Sequence, residues 1–343
     1  MRTLNPRRIA GNVVIFVILF LVLGGIVGGV LSVGRTLFGV VDHAQKSNAV
    51  LNDDEPLGAI PGVSVTEKTE ALDVDPLSLE GSASVQFIDV GQGDATLFMF
   101  PDGETLLIDT GTYDNFRTLK RTLNEAGVEK LSSLIITHAH DDHMGSAASV
   151  LDQFSPSAVY FSPPPETFEV TVASYQAFLD RMAKYPTSYI SPEEGDIIMA
   201  GDNYQVTVVS RSLDPALITD INDTSMVTRI EIYDTVFLVM GDAEAPLEED
   251  LLERGAPVDC DVLLLPHHGS SSSFSYDFSA KTHATYAVLS CAADNEYGFP
   301  HAVTLEKIAL YGIELFRTDE QGTITATVTA SGIAFDAERE GKK

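Results

Sequence analysis

Read for the spacing of apolar and polar positions, the chain falls into three stretches. In the first, residues 13–33 are almost wholly Val, Ile, Leu, Phe and Gly, and no charge stands between Ile9 and Gly34. As a helix this run measures about 31 Å at 1.5 Å per residue, enough to cross a bilayer. The second stretch, about 42–82, carries Pro56, Pro61 and Pro76 with scattered acids and no apolar period. A flexible acidic linker is expected there. From residue 83 onward, short alternating or apolar runs predict strands over 85–90, 95–100, 105–109, 133–137, 204–209, 226–233, 235–240, 262–265, 285–290 and 323–329.

Helical spacing falls between those runs. Phe116, Leu119 and Leu123 mark one helix ending near Gly127, and Ala147, Val150 and Leu151 a second after Gly145. Leu247, Leu251 and Leu252 mark a third, and Leu305, Ile308 and Leu310 a fourth. Hairpins first and mixed strand–helix units afterwards predict an α+β class: two sheets packed together with helices outside. The expected division is a cytoplasmic stub and transmembrane anchor over 1–41, the linker over 42–82, a catalytic domain over 83–336 and a charged tail over 337–343.

Charge changes this picture in two ways. Arg2, Arg7 and Arg8 precede the apolar run, so the positive-inside tendency leaves the N-terminus in the cytoplasm and the body outside the cell. The junction Ser32-Val33-Gly34-Arg35 is a poor cleavage site, which favours an uncleaved single-pass anchor over a signal peptide. Gly24, Gly25, Gly28 and Gly29 give two Gly-x-x-x-Gly spacings that suit helix-mediated self-association, although ordinary glycine content of a membrane helix explains them as well. The chain has 50 acidic and 21 basic residues, a net charge of -29. Five bases and one acid lie up to Lys46, so the remainder stands at -33. Such a body repels phosphate backbones, whose binding normally draws on Lys and Arg.

Cys260 and Cys291 are too few for a disulfide scaffold. Cys260 precedes the strand 262–265 and Cys291 follows 285–290. If these strands are parallel neighbours, the cysteines sit about 15 Å apart, beyond the roughly 7 Å that a disulfide spans. Two free, buried thiols are expected.

The chemistry concentrates in His138-Ala139-His140-Asp141-Asp142-His143, between the strand 133–137 and a helix. Three imidazoles and a carboxylate on one turn suit zinc and other first-row divalent ions. The His-x-His-x-Asp-His spacing resembles the metallo-β-lactamase superfamily. Phe87 to Ala95, Ile221-Asn222-Asp223-Thr224-Ser225, Met240-Gly241-Asp242-Ala243-Glu244, Pro266-His267-His268-Gly269-Ser270 and Arg317-Thr318-Asp319 resemble, more narrowly, the soluble domain of ComEC-type competence proteins.

The resemblance implies an αββα four-layer sandwich and two divalent ions, zinc before manganese. It implies His138, His140, Asp142 and His143 as ligands, Asp242 as a bridging ligand and His267 as the late ligand, with His268 nearer the substrate; the choice between these last two stays open. Asp109 and Asp94 are implied as carboxylates that orient ligands. Asn222 and Ser225 would donate to a phosphate oxygen or a water, with an Asx turn as the other reading. Asp223 stands where that family usually has Asn. His301 would contact the leaving group or act as an acid, or else cap the helix that follows. No histidine lies between Met144 and Pro266, so one ion is left with His138, His140 and Asp242.

Two close ions support hydrolysis through an activated water, and the motifs favour a phosphodiester over a β-lactam. A membrane-anchored nuclease acting on DNA is the first expectation. A hydrolase of another extracellular phosphodiester, such as a teichoic acid or a nucleotide, is the alternative. A non-catalytic surface module that kept the fold is a third reading.

Overall fold

In the strand Thr105–Ile108, Leu106 and Ile108 face one apolar core and Leu107 faces another. That period-two alternation recurs throughout the protein and sets its layers. The computed structural model describes residues 81–341, apart from 167, 169, 171, 185–187, 211, 215 and 216. The expected anchor, its Gly-x-x-x-Gly faces and the linker up to residue 80 lie outside the described residues. Among the described residues no helix is long and apolar enough to cross a membrane.

Chain order begins with β1 (Ala83–Phe87), β2 (Thr96–Met99), β3 (Thr105–Ile108), β4 (Ser133–Ile136), β5 (Ala158–Phe161) and β6 (Ser188–Ile190). A second run comprises β7 (Ile197–Gly201), β8 (Tyr204–Ser210), β9 (Val227–Ile232), β10 (Thr235–Val239), β11 (Val262–Leu264), β12 (Tyr286–Leu289) and β13 (Glu314–Arg317). The chain then returns through β14 (Ile324–Thr329) and β15 (Gly332–Ala337) to the first sheet. That sheet has the order β15-β14-β1-β2-β3-β4-β5-β6, and the second has β13-β12-β11-β10-β9-β8-β7.

Between the sheets lies a shared core that includes Phe87, Phe98, Ile108 and Ile135 from one side and Ile230, Phe237, Val239 and Leu264 from the other. The outer face of the first sheet, through Leu107, Leu134 and Ile136, packs on α1 (Phe116–Glu125) and α3 (Ala147–Phe154), with the short α2 (Asp141–Met144) between them. The outer face of the second, through Leu238, Leu263 and Leu289, packs on α5 (Ala245–Arg254), α6 (Tyr276–Thr282) and α7 (Ala302–Tyr311); α4 (Ala173–Met182) adds to the first side and α8 (Thr318–Gln321) is a single turn. The expected α+β sandwich of two sheets with helices outside is therefore present.

Parallel pairing positions the chemistry. β3, β4 and β5 run in register as parallel neighbours, and so do β10, β11, β12 and β13. Chain segments leaving the carboxyl ends of β3, β4, β10, β11 and β12 therefore emerge at common edges, where functional loops gather in such sheets. The two edges meet at Gly241, just past β10. A Cβ built there would stand 2.9 Å from Thr137 Cβ and 3.0 Å from Ser225 Oγ, and its φ is +54°, so glycine alone lets the second sheet approach the first this closely.

Cys260 and Cys291 are free and buried, as expected, the one before β11 and the other after β12, which pair in parallel. The stretch expected as a charged tail starts out tied down: Glu338 N donates to Thr323 O at 3.0 Å, and Arg339 reaches Asp89 Oδ2 at 3.0 Å.

Candidate metal centre

β4 ends at Ile136, and the chain then turns through Thr137 to His140 into α2, which presents Asp142 and His143. β10 ends at Val239 and delivers Asp242; β11 ends at Leu264 and delivers His268. These side chains converge into two groups that could each hold an ion: His138, His140 and Asp242, and Asp142, His143, Asp242 and His268. Asp242 belongs to both and divides its oxygens between them. Its Oδ1 lies 3.1 Å from His143 Nε2 and 3.5 Å from His268 Nε2, whereas its Oδ2 lies 3.7 Å from His138 Nε2. Asp142 Oδ2 is 3.2 Å from His268 Nε2, and His138 Nε2 is 3.0 Å from His140 Nδ1.

The donor set fits divalent ions by two tests. Its imidazole nitrogens and carboxylate oxygens match zinc and its first-row neighbours. His143 Nε2, Asp242 Oδ1 and His268 Nε2 are also buried with no hydrogen-bond partner, a costly state for polar atoms unless something binds them.

The surrounding residues aim these atoms. His143 Nδ1 donates to Asp109 Oδ2 at 2.8 Å, and His268 Nδ1 donates to the Ser290 carbonyl at 2.8 Å. Thr137 Oγ1 gives its own proton to Asp109 Oδ2 at 2.7 Å and so can accept from His138 Nδ1 at 3.2 Å. Each contact leaves the Nε2 atom facing the centre. Asp109 also accepts from Thr137 N at 2.8 Å and is held in a left-handed conformation, φ 58°, to do so. Asp94, Asp109 and His143 form a third cluster, but Asp109 has both oxygens occupied by hydrogen bonds, so it acts behind the ligands. Asp94 Oδ1 stands 3.6 Å from His268 Nδ1, which is hydrogen-bonded to the Ser290 carbonyl instead.

Electrostatics reinforce the demand for positive charge. Burial alone would push His143 and His268 down, yet the Asp242 carboxylate, joined by Asp109 for one and by Asp142 and Asp94 for the other, holds both well above their ordinary range. Burial would raise Asp242 and Asp142, and the same imidazoles hold them low instead. His138 goes the other way, driven down by burial and by the nearby His143.

Some sequence expectations are corrected. His267, favoured as the late ligand, is not in either group; His268 takes that place. Both residues adopt left-handed backbone, φ 49° and 52°, which overrides the simple divergence of neighbours and turns His268 inward. His267 Nδ1 instead donates to Ser272 Oγ at 3.1 Å and lies 3.1 Å from Glu244 Oε1, leaving Nε2 3.9 Å from Asp242 Oδ2 at the mouth. Ser225 is fully buried behind the centre, where its hydroxyl accepts from Asp242 N at 3.1 Å, so it positions the carboxylate that the two groups share. Asn222 is likewise turned inward, its amide donating to Glu244 Oε1 at 3.4 Å. The His301 side chain does not cap α7; its Nδ1 accepts from Ser271 N at 2.8 Å.

Sequence reading missed Glu244, which gathers His267, Ser272 and Asn222 on one carboxylate oxygen. Its signal was an acid two residues after Asp242. The Ser290 carbonyl was also missed, and no sequence signal marks a backbone acceptor.

A family model described as the metallo-beta-lactamase superfamily matches residues 88–292, more than half of the chain. The chain belongs to that superfamily. Among curated proteins, this superfamily hydrolase is 27% identical over 265 residues to ComE operon protein 3 of Bacillus subtilis, covering 72% of this chain and 33% of that protein. It is 29% identical over 258 residues to Competence protein ComA of Neisseria gonorrhoeae, covering 74% and 33%. The chain thus spans about a third of the length of these relatives. Among solved structures it is similar to a metallo hydrolase of Ignicoccus hospitalis, with 13% identity, a TM-score of 0.42 and coverage of 71% and 98%.

Proposed function

We propose that the chain is a two-metal phosphodiesterase of nuclease type, acting on the outer side of the membrane from a single N-terminal anchor. The observation that carries it is the division of the two Asp242 oxygens between two ligand groups drawn from both sheets. Two bound ions, zinc or manganese, would supply charge neutralisation on a phosphoryl group and an activated water. The chain's own residues do the rest. Asp109 and Ser290 fix the imidazoles, Ser225 fixes Asp242, and the His301 ring, with Nδ1 engaged by Ser271 N, presents Nε2 as a donor to a leaving-group oxygen.

Resemblance to competence proteins favours DNA as substrate. The -33 body supports a second reading, in which the phosphodiester is a smaller extracellular one such as a nucleotide or a teichoic acid unit. A complete ligand set with buried, unpartnered atoms argues against a module that has lost catalysis. The test is a panel of phosphodiesters with defined metals: Asp242→Ala should abolish turnover of any accepted substrate and lower metal content. Near-normal turnover with full metal content in that variant would overturn the reading. For the anchor, protease added to intact cells should cut within 42–82 and release the body, and complete protection would place the domain elsewhere.

A further inference from the structure

The loop between β12 and α7 builds an aromatic shelf beside the centre. Phe299 lies 5.6 Å from the His267 ring and 6.1 Å from the His268 ring, centroid to centroid, and 5.2 Å from the ring of His301. Tyr297 stacks on Phe299 at 5.2 Å with 15° between the planes. Tyr297 is 64% exposed.

This shelf is held in place. The Asn295 side chain donates to Phe299 O and to Ala292 O, both at 2.8 Å, and accepts from Phe299 N at 2.8 Å. Pro300 packs against the turn that carries the histidines: a Cβ built on Gly269 would stand 2.8 Å from Pro300 Cβ. Phe299 is thus fixed beside the centre, and Tyr297 lies against it with most of its own ring open to solvent.

We infer that Tyr297 and Phe299 form a stacking subsite for a nucleobase of the substrate, one nucleoside away from the phosphate that the metal centre engages. This rests on the phosphodiesterase reading and names the substrate's organic group. Two nearly parallel, stacked rings are extended by a third flat ring, which a base provides and a glycerol unit does not. Charge points the same way. The loop holds Asp294 and Glu296 and no basic residue, on a chain of net charge -29. Backbone phosphates gain little there from counterion release. Preference for a nucleotide over the bare sugar phosphate must then come from its base, and that preference should depend only weakly on salt.

The experiment uses the full-length chain in detergent, loaded with manganese, and compares the binding of thymidine 5′-monophosphate with that of 2-deoxyribose 5-phosphate by calorimetry. The base should improve affinity about tenfold, the factor that about 1.4 kcal/mol of stacking gives. Tyr297→Leu should collapse that ratio towards one, while Tyr297→Phe, which keeps the ring, should preserve it. The advantage should persist between about 50 and 200 mM salt. Equal affinity for the two phosphates in the parent protein, or an unchanged ratio in Tyr297→Leu, overturns the shelf. Turnover of thymidine 5′-(p-nitrophenyl phosphate) and methyl p-nitrophenyl phosphate separates the two ideas. If neither is cleaved under any metal while the base preference persists, the phosphodiesterase reading fails and the shelf stands.

Discussion

His267 and His268 are adjacent, yet their rings lie 6.3 Å apart with 71° between planes and meet different partners. One is locked by Ser290 and points into a buried ligand group; the other is held by Ser272 and Glu244 and stands at the rim. His268→Gln should therefore lower the bound metal content measured by elemental analysis, and His267→Gln should leave it unchanged. Equal loss in the two variants would show that the rim histidine also ligates. Asp223 is a second case where one atom decides. It is 1% exposed, Oδ1 accepts from Glu244 N at 3.3 Å, and Oδ2 is buried without a partner. Burial pushes its carboxyl up to about 6, against that hydrogen bond and with help from the Glu244 charge. A carboxyl titrating at 3.8 unfolded and about 6 folded costs stability as pH rises between those values, and the cost is complete above them. Asp223→Asn, which restores the residue usual in ComEC-like proteins, should raise stability at pH 8 by up to roughly 3 kcal/mol, the ceiling that a shift of about two units sets. The gain should shrink as pH falls towards about 4. A gain independent of pH in denaturant titrations would remove the carboxylate as its cause.

At the scale of elements, the ten strands predicted from apolar pattern correspond to β1–β4, β8–β12 and β14, and these are strands with a neighbour on each side. The edge strands β6, β7, β13 and β15 went unread for a physical reason: with one neighbour and one covered face at most, they carry exposed or half-buried residues and little alternation. β5 is interior too, and its four-residue length does not set it apart, since β2, β3, β4 and β12 are as short and were read. Helix α7 was predicted from Leu305, Ile308 and Leu310, and only Ile308 of these is buried. Leu310 is 66% exposed, and the inward side is Thr304, Lys307 and Ile308. Lys307 is buried because it donates to Phe274 O at 2.6 Å beside Glu248, which accepts from Ser275 N at 2.8 Å. Together they hold the serine-rich loop whose Ser272 braces Glu244. A hydrophobicity pattern scores such a lysine as surface, since only its partners, distant in sequence, make burial affordable. The ligand motif at His138–His143 was readable because it lies on one turn; Glu244 and Ser290 act through tertiary contacts and were not.

For the whole molecule, the decisive fact is where the ligands come from. His138, His140, Asp142 and His143 follow strands of the first sheet, whereas Asp242 and His268 follow strands of the second. Each ligand group therefore crosses the sandwich and ties its two halves at one edge. Without ions, imidazolium protons on His143 and His268 carry part of the positive charge that Asp242 and Asp142 demand. Ions replace those protons and add bonds that only the folded arrangement supplies, so binding energy becomes folding energy. At free metal about a thousandfold above the dissociation constant, linkage gives about 4 kcal/mol. For a domain of this size that corresponds to a rise in melting temperature on the order of 10 °C. Chelation should reverse it, and because protons compete for the same nitrogens, the shift should be smaller at pH 5.5 than at pH 8. Asp242→Asn weakens both groups at once and should lose most of the shift, more than His268→Gln, which touches one. Calorimetric scans with and without chelator decide the matter: an unchanged melting temperature after verified metal removal would mean that the two sheets are joined by their shared core alone.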